Sequence, residues 1–199
     1  MRNRGTRRLG MDMMTQLFMA MVILLYIVLA FINIPEELKD VAPPPQGSMS
    51  VELYWPNDMD TDVDLWVRAE ADMIPVGYSN KGGPLFNLLR DDLGGTFDIS
   101  SVNQEISYSR GLPDGEYVIN AHLFNLKSGH LPVPIRVVVT AKVKDTDGYT
   151  QLFTISGELK FFGEEKTMAR FKMKDGVFVP ESMSTAHVSI RAITEGGPQ

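Results

Sequence analysis

Residues 51–68 read VELYWPNDMDTDVDLWVR and contain the two segments on which the fold assignment rests. In the runs at 51–55 and 63–68, apolar and polar side chains alternate, as they do in a strand with one buried face. Several residues between the runs are of types that favour turns. The stretch therefore predicts two β-strands joined by a short connection.

Further β-rich runs follow along the chain, and none has helical periodicity. They lie at 84–89, 105–109, 116–124, 135–143, 151–156, 167–173 and 186–193. Turn signals separate them at 81–83 (KGG), 93–95 (LGG), 113–115 (PDG), 128–129 (SG) and 147–148 (DG). About nine short strands with such spacing predict an all-β domain, a β-sandwich over residues 51–193, followed by a disordered tail at 194–199.

Residues 11–34 read MDMMTQLFMAMVILLYIVLAFINI, in which Asp12 is the only side chain that ionises near neutral pH. As a helix this segment rises about 36 Å, more than the roughly 30 Å of a bilayer's hydrocarbon core. The apolar run is too long for the core of a signal peptide, and no small-residue cleavage site follows it. We therefore expect a single transmembrane helix that is not removed.

The charges around this segment predict its orientation. Residues 1–10 contain four arginines and no acid, whereas Glu36, Glu37 and Asp40 follow the segment. By the positive-inside rule, residues 1–10 form a cytoplasmic tail and residues 35–199 lie across the membrane. The linker at 35–50 contains three consecutive prolines, which favour an extended and semi-rigid spacer.

Asp12 is unusual because a carboxylate in a membrane helix costs about 2.5–3.5 kcal/mol at the bilayer centre and less near the surface. One interpretation is that Asp12 lies at headgroup depth and caps the N-terminus of the helix. The other is that Asp12 is a protonatable carboxyl that faces a partner or a water path. Thr15 and Gln16, three and four residues further on, share its helix face and are candidates to hydrogen-bond it.

The run Asp12-Met13-Met14-Thr15, followed by a Met- and Phe-rich helix, resembles the single transmembrane helix of MotB-type stator subunits. More loosely, it resembles the helices of ExbD and TolR. The resemblance covers the predicted transmembrane segment only. The sequence after Ile34 resembles neither the peptidoglycan-binding domain of MotB proteins nor the small outer domains of ExbD and TolR.

This resemblance implies a subunit of an ion-motive-force-driven motor in a bacterial inner membrane. Two copies of the helix would lie as a homodimer inside a pentameric ring of polytopic MotA-, TolQ- or ExbB-like subunits. Asp12 would carry the translocated proton or sodium ion, with Thr15 as its polar neighbour. The segment Glu36–Lys39 is either a plug of the ion path or, as four residues more often are, an ordinary juxtamembrane spacer. The domain after the linker would be periplasmic and engage a periplasmic target.

Two further motifs, Asp62–Val67 (DVDLWV) and Pro113–Val118 (PDGEYV), resemble motifs of YfaP-type bacterial β-sandwich domains. In those domains an aspartate-rich turn leads into a DLDLWV-like strand, and a PGEY-like turn precedes a core strand. The resemblance implies a sandwich fold for residues 50–175 and no defined chemistry.

Four aspartates stand at alternate positions at the start of the domain: Asp58, Asp60, Asp62 and Asp64. Calcium takes six to eight oxygen ligands, and acidic loops supply them. An EF-hand loop is excluded, because Val63 occupies the position of its glycine and Ala69 that of its glutamate. The run therefore predicts either a calcium site of another kind or an acidic, solvated edge without metal.

Composition excludes several other classes of protein. The chain has no cysteine, which excludes disulfide scaffolds, Cys-ligated metals and thiol nucleophiles. Residues 1–10 contribute +4 to a total charge of −6, so the rest carries −10, which argues against nucleic-acid binding. The three histidines are isolated, and no nucleophile-elbow, P-loop or dinucleotide motif is present. We therefore expect no enzymatic activity and no cofactor.

The leading hypothesis is thus an ion-driven membrane subunit with a periplasmic sandwich. The alternative is a membrane-tethered β-sandwich that binds or scaffolds other molecules without ion transport, in which Asp12 only caps a helix. A calcium-dependent adhesion domain is a third, weaker hypothesis.

Overall fold

The computed structural model describes residues 13–26, 47–94, 102–144 and 146–191. The chain divides into two units, Met1–Pro43 and Pro44–Gln199. Asp12, the linker up to residue 46 with its Glu36–Lys39 segment, and the tail from residue 192 lie outside the described residues. The expectations for those segments therefore stay predictions.

The described part of the first unit is one helix, α1, at residues 13–26. It rises about 21 Å, and neither Gly nor Pro interrupts it. Every described side chain of α1 is exposed, including the large apolar ones from Met13 to Tyr26. Among the described residues, no helix has both the length and the apolar character needed to cross a membrane. The span predicted at 11–34 continues on both sides of α1 into residues that the structure does not describe.

The second unit consists of antiparallel strands. They are β1 (Met49–Tyr54), β2 (Thr61–Ala69), β3 (Phe86–Arg90), β4 (Gln104–Ser109), β5 (Gly115–Leu126), β6 (Val133–Ala141), β7 (Thr150–Leu159), β8 (Glu165–Lys174) and β9 (Val177–Ser184). One sheet has the order β3-β4-β1-β6-β7 and is called sheet A; the other, sheet B, has the order β2-β5-β8-β9. The predicted all-β domain of about nine strands is thus confirmed for the part of the chain that is described.

The core lies between the two sheets and is built from alternate residues of the strands. Val51 and Leu53 of β1 point inward, as do Val63, Leu65 and Val67 of β2, and all five are almost fully buried. Their neighbours in sequence face outward, which is the alternation that residues 51–68 predict. The two inner faces bury each other and exclude water from the centre of the sandwich.

An aromatic cluster fills one end of the core. Tyr117 of β5 stacks on Phe171 of β8 with ring centroids 5.3 Å apart, and Phe153 of β7 contacts Phe178 of β9 at 5.5 Å. The latter pair joins the edge strands of the two sheets. It closes the side of the sandwich between β7 and β9 at this end.

The predicted last strand, at 186–193, is wrong as far as the structure describes that segment. The strand forms earlier, at Val177–Ser184, and residues 185–190 are irregular. The later segment instead lies on the outer face of sheet B, where the Val188 N–H donates to Thr167 Oγ1 at 3.0 Å and Ile190 packs with Trp66. The buried indole provides more apolar contact than strand pairing at a sheet edge would.

The free edge of β2 is closed by three different groups. The Leu65 N–H donates to Glu105 Oε2 of β4, in the other sheet, at 2.5 Å. Val67 exchanges backbone hydrogen bonds with Val76, and the Trp55 indole donates to the Thr61 carbonyl at 2.9 Å. Glu105 is fully buried. This edge therefore presents few backbone groups that another chain could pair with.

We expect Glu105→Leu to lower the free energy of unfolding by about 1–3 kcal/mol, because Leu leaves the buried Leu65 N–H without an acceptor. Glu105→Gln keeps an acceptor oxygen and is expected to be tolerated. Urea unfolding of the full chain in detergent measures both variants through the fluorescence of Trp55 and Trp66, the chain's two tryptophans, which both lie in the sandwich. Equal losses for Gln and Leu would contradict this role of the hydrogen bond.

Candidate functional site

The structure describes two of the three predicted ion-carrying residues. Thr15 and Gln16 lie in the first described turn of α1, and both side chains are exposed. Successive residues of a helix are about 100° apart, so these two side chains point to adjacent parts of its circumference. Asp12 precedes the described residues.

The four aspartates of the predicted calcium site lie in different environments. Asp58 is exposed in the turn after β1, and half-buried Asp60 lies 3.9 Å from Lys127 Nζ. Asp62 and Asp64 belong to β2 and point to the outer face of sheet B, yet they are only 7% and 3% exposed. The side chains of Asp62 and Asp64 are therefore covered by protein rather than solvated.

Asp64 forms a buried hydrogen bond with a histidine that looked isolated in the sequence. His122 stands opposite Asp64 in the register of β2 and β5, and its Nδ1 lies 2.7 Å from Asp64 Oδ2. Burial raises the pKa of Asp64, although the contact with His122 works against that rise. Cross-strand pairing, which sequence spacing does not reveal, brings the two residues together.

Several buried carboxyls lie near one another where β2 of sheet B faces β4 of sheet A. Burial raises the pKa of Asp62 to about 7, and the negative charges of Asp64 and Asp91 add to the effect. Burial likewise raises the pKa of Glu105 well above its usual value, again with contributions from Asp64 and Asp91. At this position the sandwich therefore holds acidic groups that resist ionisation.

Cations compensate several of the carboxylates in this region. Lys81 Nζ lies 2.6 Å from Asp91, and an Arg90 nitrogen lies 3.5 Å from Asp92. Over the described ranges, no group of three or more His, Asp or Glu side chains has an arrangement that would hold a metal ion. The calcium site stays a prediction, and what the region shows is a set of paired or protonatable carboxyls.

A second polar network fixes residues 188–191 on the outer face of sheet B. Burial alone would raise the pKa of Glu165, but hydrogen bonds from Ser189, Asn120 and the backbone N–H groups of Ile190 and Arg191 lower it. An ionised Glu165 accepts four donors at once, which is an arrangement that stabilises a carboxylate. This network holds the segment in place.

A cleft of about 720 Å³ lies on the outer face of sheet A and reaches β7. It carries three cations on different elements, Arg136 of β6, Lys160 after β7 and Lys166 of β8, against a single acid, Glu158. Residues 44–199 as a whole contain 14 Lys and Arg but 21 Asp and Glu, a net charge of −7. The cleft is therefore a positive site on an acidic domain.

Another part of the cleft wall is Tyr54 of β1, which is held from behind by polar side chains of β1 and β4. The Tyr54 hydroxyl donates to Glu52, and Gln104 Nε2 donates to the same hydroxyl at 2.7 Å. The Arg136 guanidinium lies over the Tyr54 ring, 5.0 Å from its centroid, in a cation–π contact. Burial, and after it Glu52, raises the pKa of Tyr54, so the wall keeps a neutral phenol. The site suits binding of an anionic group.

Sequence reasoning did not identify this cleft. Its cations come from three elements that are distant in sequence or separated by a turn, and only the fold brings them together. The one local signal was Lys160 and Lys166 on either side of Phe161 and Phe162, two aromatic residues that are 60% and 66% exposed at the β7–β8 turn. Exposed aromatic residues beside lysines are typical of contact surfaces.

No protein-family model, curated protein or solved structure matches the chain. What the protein does must therefore be inferred from its own residues.

The free energy of unfolding is expected to fall as the pH rises from about 4 to about 7. In the unfolded chain Asp62 ionises near its usual pKa of 3.8, whereas the folded domain retains the proton until about pH 7. Asp62→Asn should remove this contribution and stabilise the chain at pH 8 by on the order of 1–2 kcal/mol. Urea unfolding at pH 5 and pH 8, followed by tryptophan fluorescence, measures the difference.

Asp58→Asn is the matched control, because it removes the same charge from an exposed turn and should leave the pH dependence unchanged. If Asp62→Asn and Asp58→Asn both behave like the parent chain, the raised pKa of Asp62 is wrong.

Proposed function

We propose that this chain is a single-pass inner-membrane subunit of an ion-driven complex, with an outer β-sandwich that engages another component. Residues 11–34 would span the membrane as a dimer within a ring of polytopic MotA-, TolQ- or ExbB-like subunits. Asp12 would carry the proton or sodium ion. Residues 1–10 would lie in the cytoplasm and the sandwich in the periplasm.

The observation that supports this proposal is the surface of α1. Between Met13 and Tyr26 the helix exposes large apolar side chains around its circumference, and only Thr15 and Gln16 are strongly polar. A helix that is apolar on all sides needs lipid or other helices around it. In sequence, the apolar character continues from residue 27 to residue 34.

The position of the polar residues favours ion transport over a plain anchor. In a continuous helix, Thr15 and Gln16 share the face of Asp12, so all three lie together at the cytoplasmic end of the proposed span. Intramembrane carboxyls are rare and are typical of ion pathways. One charge moved across 100 mV provides about 2.3 kcal/mol, which is sufficient to drive a conformational step.

A second candidate function is a membrane-tethered binding module without ion transport, and the positive cleft of the sandwich favours it. In that case the membrane segment is only an anchor, and replacing residues 11–34 by an unrelated transmembrane helix leaves function intact. In the ion-driven complex the same replacement abolishes function.

We expect Asp12→Asn to abolish ion uptake by vesicles that contain the full chain and its copurifying polytopic partner, because an amide cannot gain and lose a proton or bind a cation as a carboxylate does. Uptake is measured with a pH-sensitive dye, or with radioactive sodium if protons are not carried. Asp12→Glu should retain part of the activity.

Asp40→Asn provides the control, since it removes an equal charge after the proposed span. Uptake by Asp12→Asn vesicles at the parent rate would contradict the ion-carrying role. Purification of the chain without any polytopic partner would favour the tethered module instead.

A further inference from the structure

The edges of the two sheets differ in how they are protected from pairing with another chain. Within the described residues, β2 is closed by Glu105, Val76 and Trp55, as described above. β3 is short and is covered by its own preceding loop: the Leu88 N–H donates to the Lys81 carbonyl, and the Gly83 N–H donates to the Phe86 carbonyl. These edges are blocked in the way that natural sheets avoid edge-to-edge association.

The edge strand β9 is blocked by its sequence. It contains Pro180, which has no N–H, and its pairing with β8 shifts between Arg170 and Lys172. The Ser182 hydroxyl accepts from the Lys172 N–H at 2.8 Å and donates to the Val179 carbonyl, which bends the strand out of a regular ladder. A strand that is bent in this way and contains proline is a poor template for another strand.

The fourth edge strand, β7, has neither proline nor, among the described residues, a covering loop, and although its pairing with β6 shifts between Val139 and Thr140, the pairing is continuous from Phe153 to Leu159. Its sequence, TQLFTISGEL, runs over ten residues without proline, lysine or arginine and with Glu158 as its only charge. Its side chains are mostly exposed or half-buried up to Leu159. Exposed edges of this composition pair readily with other strands.

The backbone groups on the outer side of β7 can be identified from its partner. Pro134 of β6 stands opposite Glu158 and has no N–H, so this pair is not hydrogen-bonded. Because hydrogen-bonded and non-bonded pairs alternate, Thr154, Ser156 and Glu158 turn their N–H and C=O groups away from β6. The Lys166 ammonium donates to the Glu158 carbonyl at 2.9 Å, which agrees with this assignment.

Two cavities of different chemistry lie on either side of this edge. On the outer face is the positive cleft with Arg136, Lys160 and Lys166. Between β7 and β8 is a groove of about 420 Å³, in which the apolar side chains of Ile155, Phe161 and Met168 lie beside the polar ones of Glu164, Glu165 and His187. Ser156 and Lys166 line both cavities, so the edge of β7 separates them.

We propose that the outer edge of β7 from Thr154 to the Glu158 N–H, before the carbonyl that Lys166 occupies, binds an extended strand of a partner protein in which acidic and apolar side chains alternate. Successive side chains of a strand point to opposite faces. The acidic side chains therefore enter the positive cleft and the apolar ones enter the groove between β7 and β8, while the main chain continues the hydrogen-bond ladder.

The charge of the site selects such a partner over a second copy of this chain. Two β7 strands paired with each other would bring Thr, Ser and Gln to the cleft, and one glutamate per copy, which leaves most of its positive charge unmatched. The inference concerns the sandwich alone. It names the class of partner that the membrane-tethered binding module, the second candidate function, would bind. It holds whether or not Asp12 carries ions.

The test measures binding of two blocked, fluorescently labelled peptides, TEVEVEVT and TKVKVKVT, to the full chain in detergent by fluorescence anisotropy. The acidic peptide is expected to bind saturably, and the basic one at least about tenfold more weakly, a difference of about 1.4 kcal/mol. The double variant Arg136→Glu, Lys160→Glu should reverse this preference.

A second variant tests the backbone contact itself. Ser156→Pro removes an N–H that faces away from β6, a position at which edge strands tolerate proline, so the fold should persist while peptide binding falls at least about tenfold. The double variant Lys142→Glu, Lys144→Glu is the charge control. It changes the net charge equally at the other end of β6 and should leave the peptide preference as in the parent.

The remaining outcomes overturn the proposal. The proposal is wrong if the acidic peptide shows no saturable binding at millimolar concentration. It is also wrong if both peptides bind equally. Because the chain has no cysteine, Thr154→Cys reports on the competing occupant: disulfide-linked dimers of this variant would show that a second copy occupies the edge. None of these measurements depends on Asp12, so Asp12→Asn should bind the acidic peptide as the parent does.

Discussion

The hydrogen bond from the Leu65 N–H to the Glu105 carboxyl joins β2 of one sheet to β4 of the other. The sheets of a sandwich share no backbone ladder, so each exposed edge leaves N–H and C=O groups that need partners. Here a side chain from the opposite sheet provides one of them, which requires burial of a carboxyl group. The raised pKa of Glu105 reflects the cost of that burial.

The distribution of charge follows from the same constraint. Carboxyls that serve the fold are wholly or partly buried: Asp64 pairs with His122, and Glu165 holds residues 188–191. Three cations, in contrast, meet one acid in a cleft on the outer face of sheet A. Interior carboxyls thus account for part of the acidity of the domain without making its surface uniformly negative. The positive cleft attracts anionic partners. The acidic remainder of the surface repels further copies of the same protein.

The sequence predicts those features that depend on local periodicity. Alternation in residues 51–68 correctly placed Val51, Leu53, Val63 and Leu65 in the core, because side-chain period is a property of the strand itself. The prediction of the last strand was wrong, because packing of Ile190 against Trp66 outweighed the β-propensity of residues 186–193. His122, Glu105 and the cleft could not be predicted, because strand register and sheet packing, not sequence spacing, create their contacts. The proposed role of Asp12 depends on the sequence and on the resemblance.

The arrangement of sheet A would make the proposed ion-driven motion and the proposed strand binding mechanically compatible. The chain enters the sandwich at β1, which pairs with β6, and β6 pairs with β7. Hydrogen bonds in an antiparallel ladder run across the strands, so tension along one strand loads several of them in shear at once. In the proposed complex, a pull that arrives through the linker at Met49 would pass through β1, β6 and β7. A partner strand on β7 would continue this ladder, and the load would reach the partner without crossing the apolar core, where side chains only pack and carry no directional bonds.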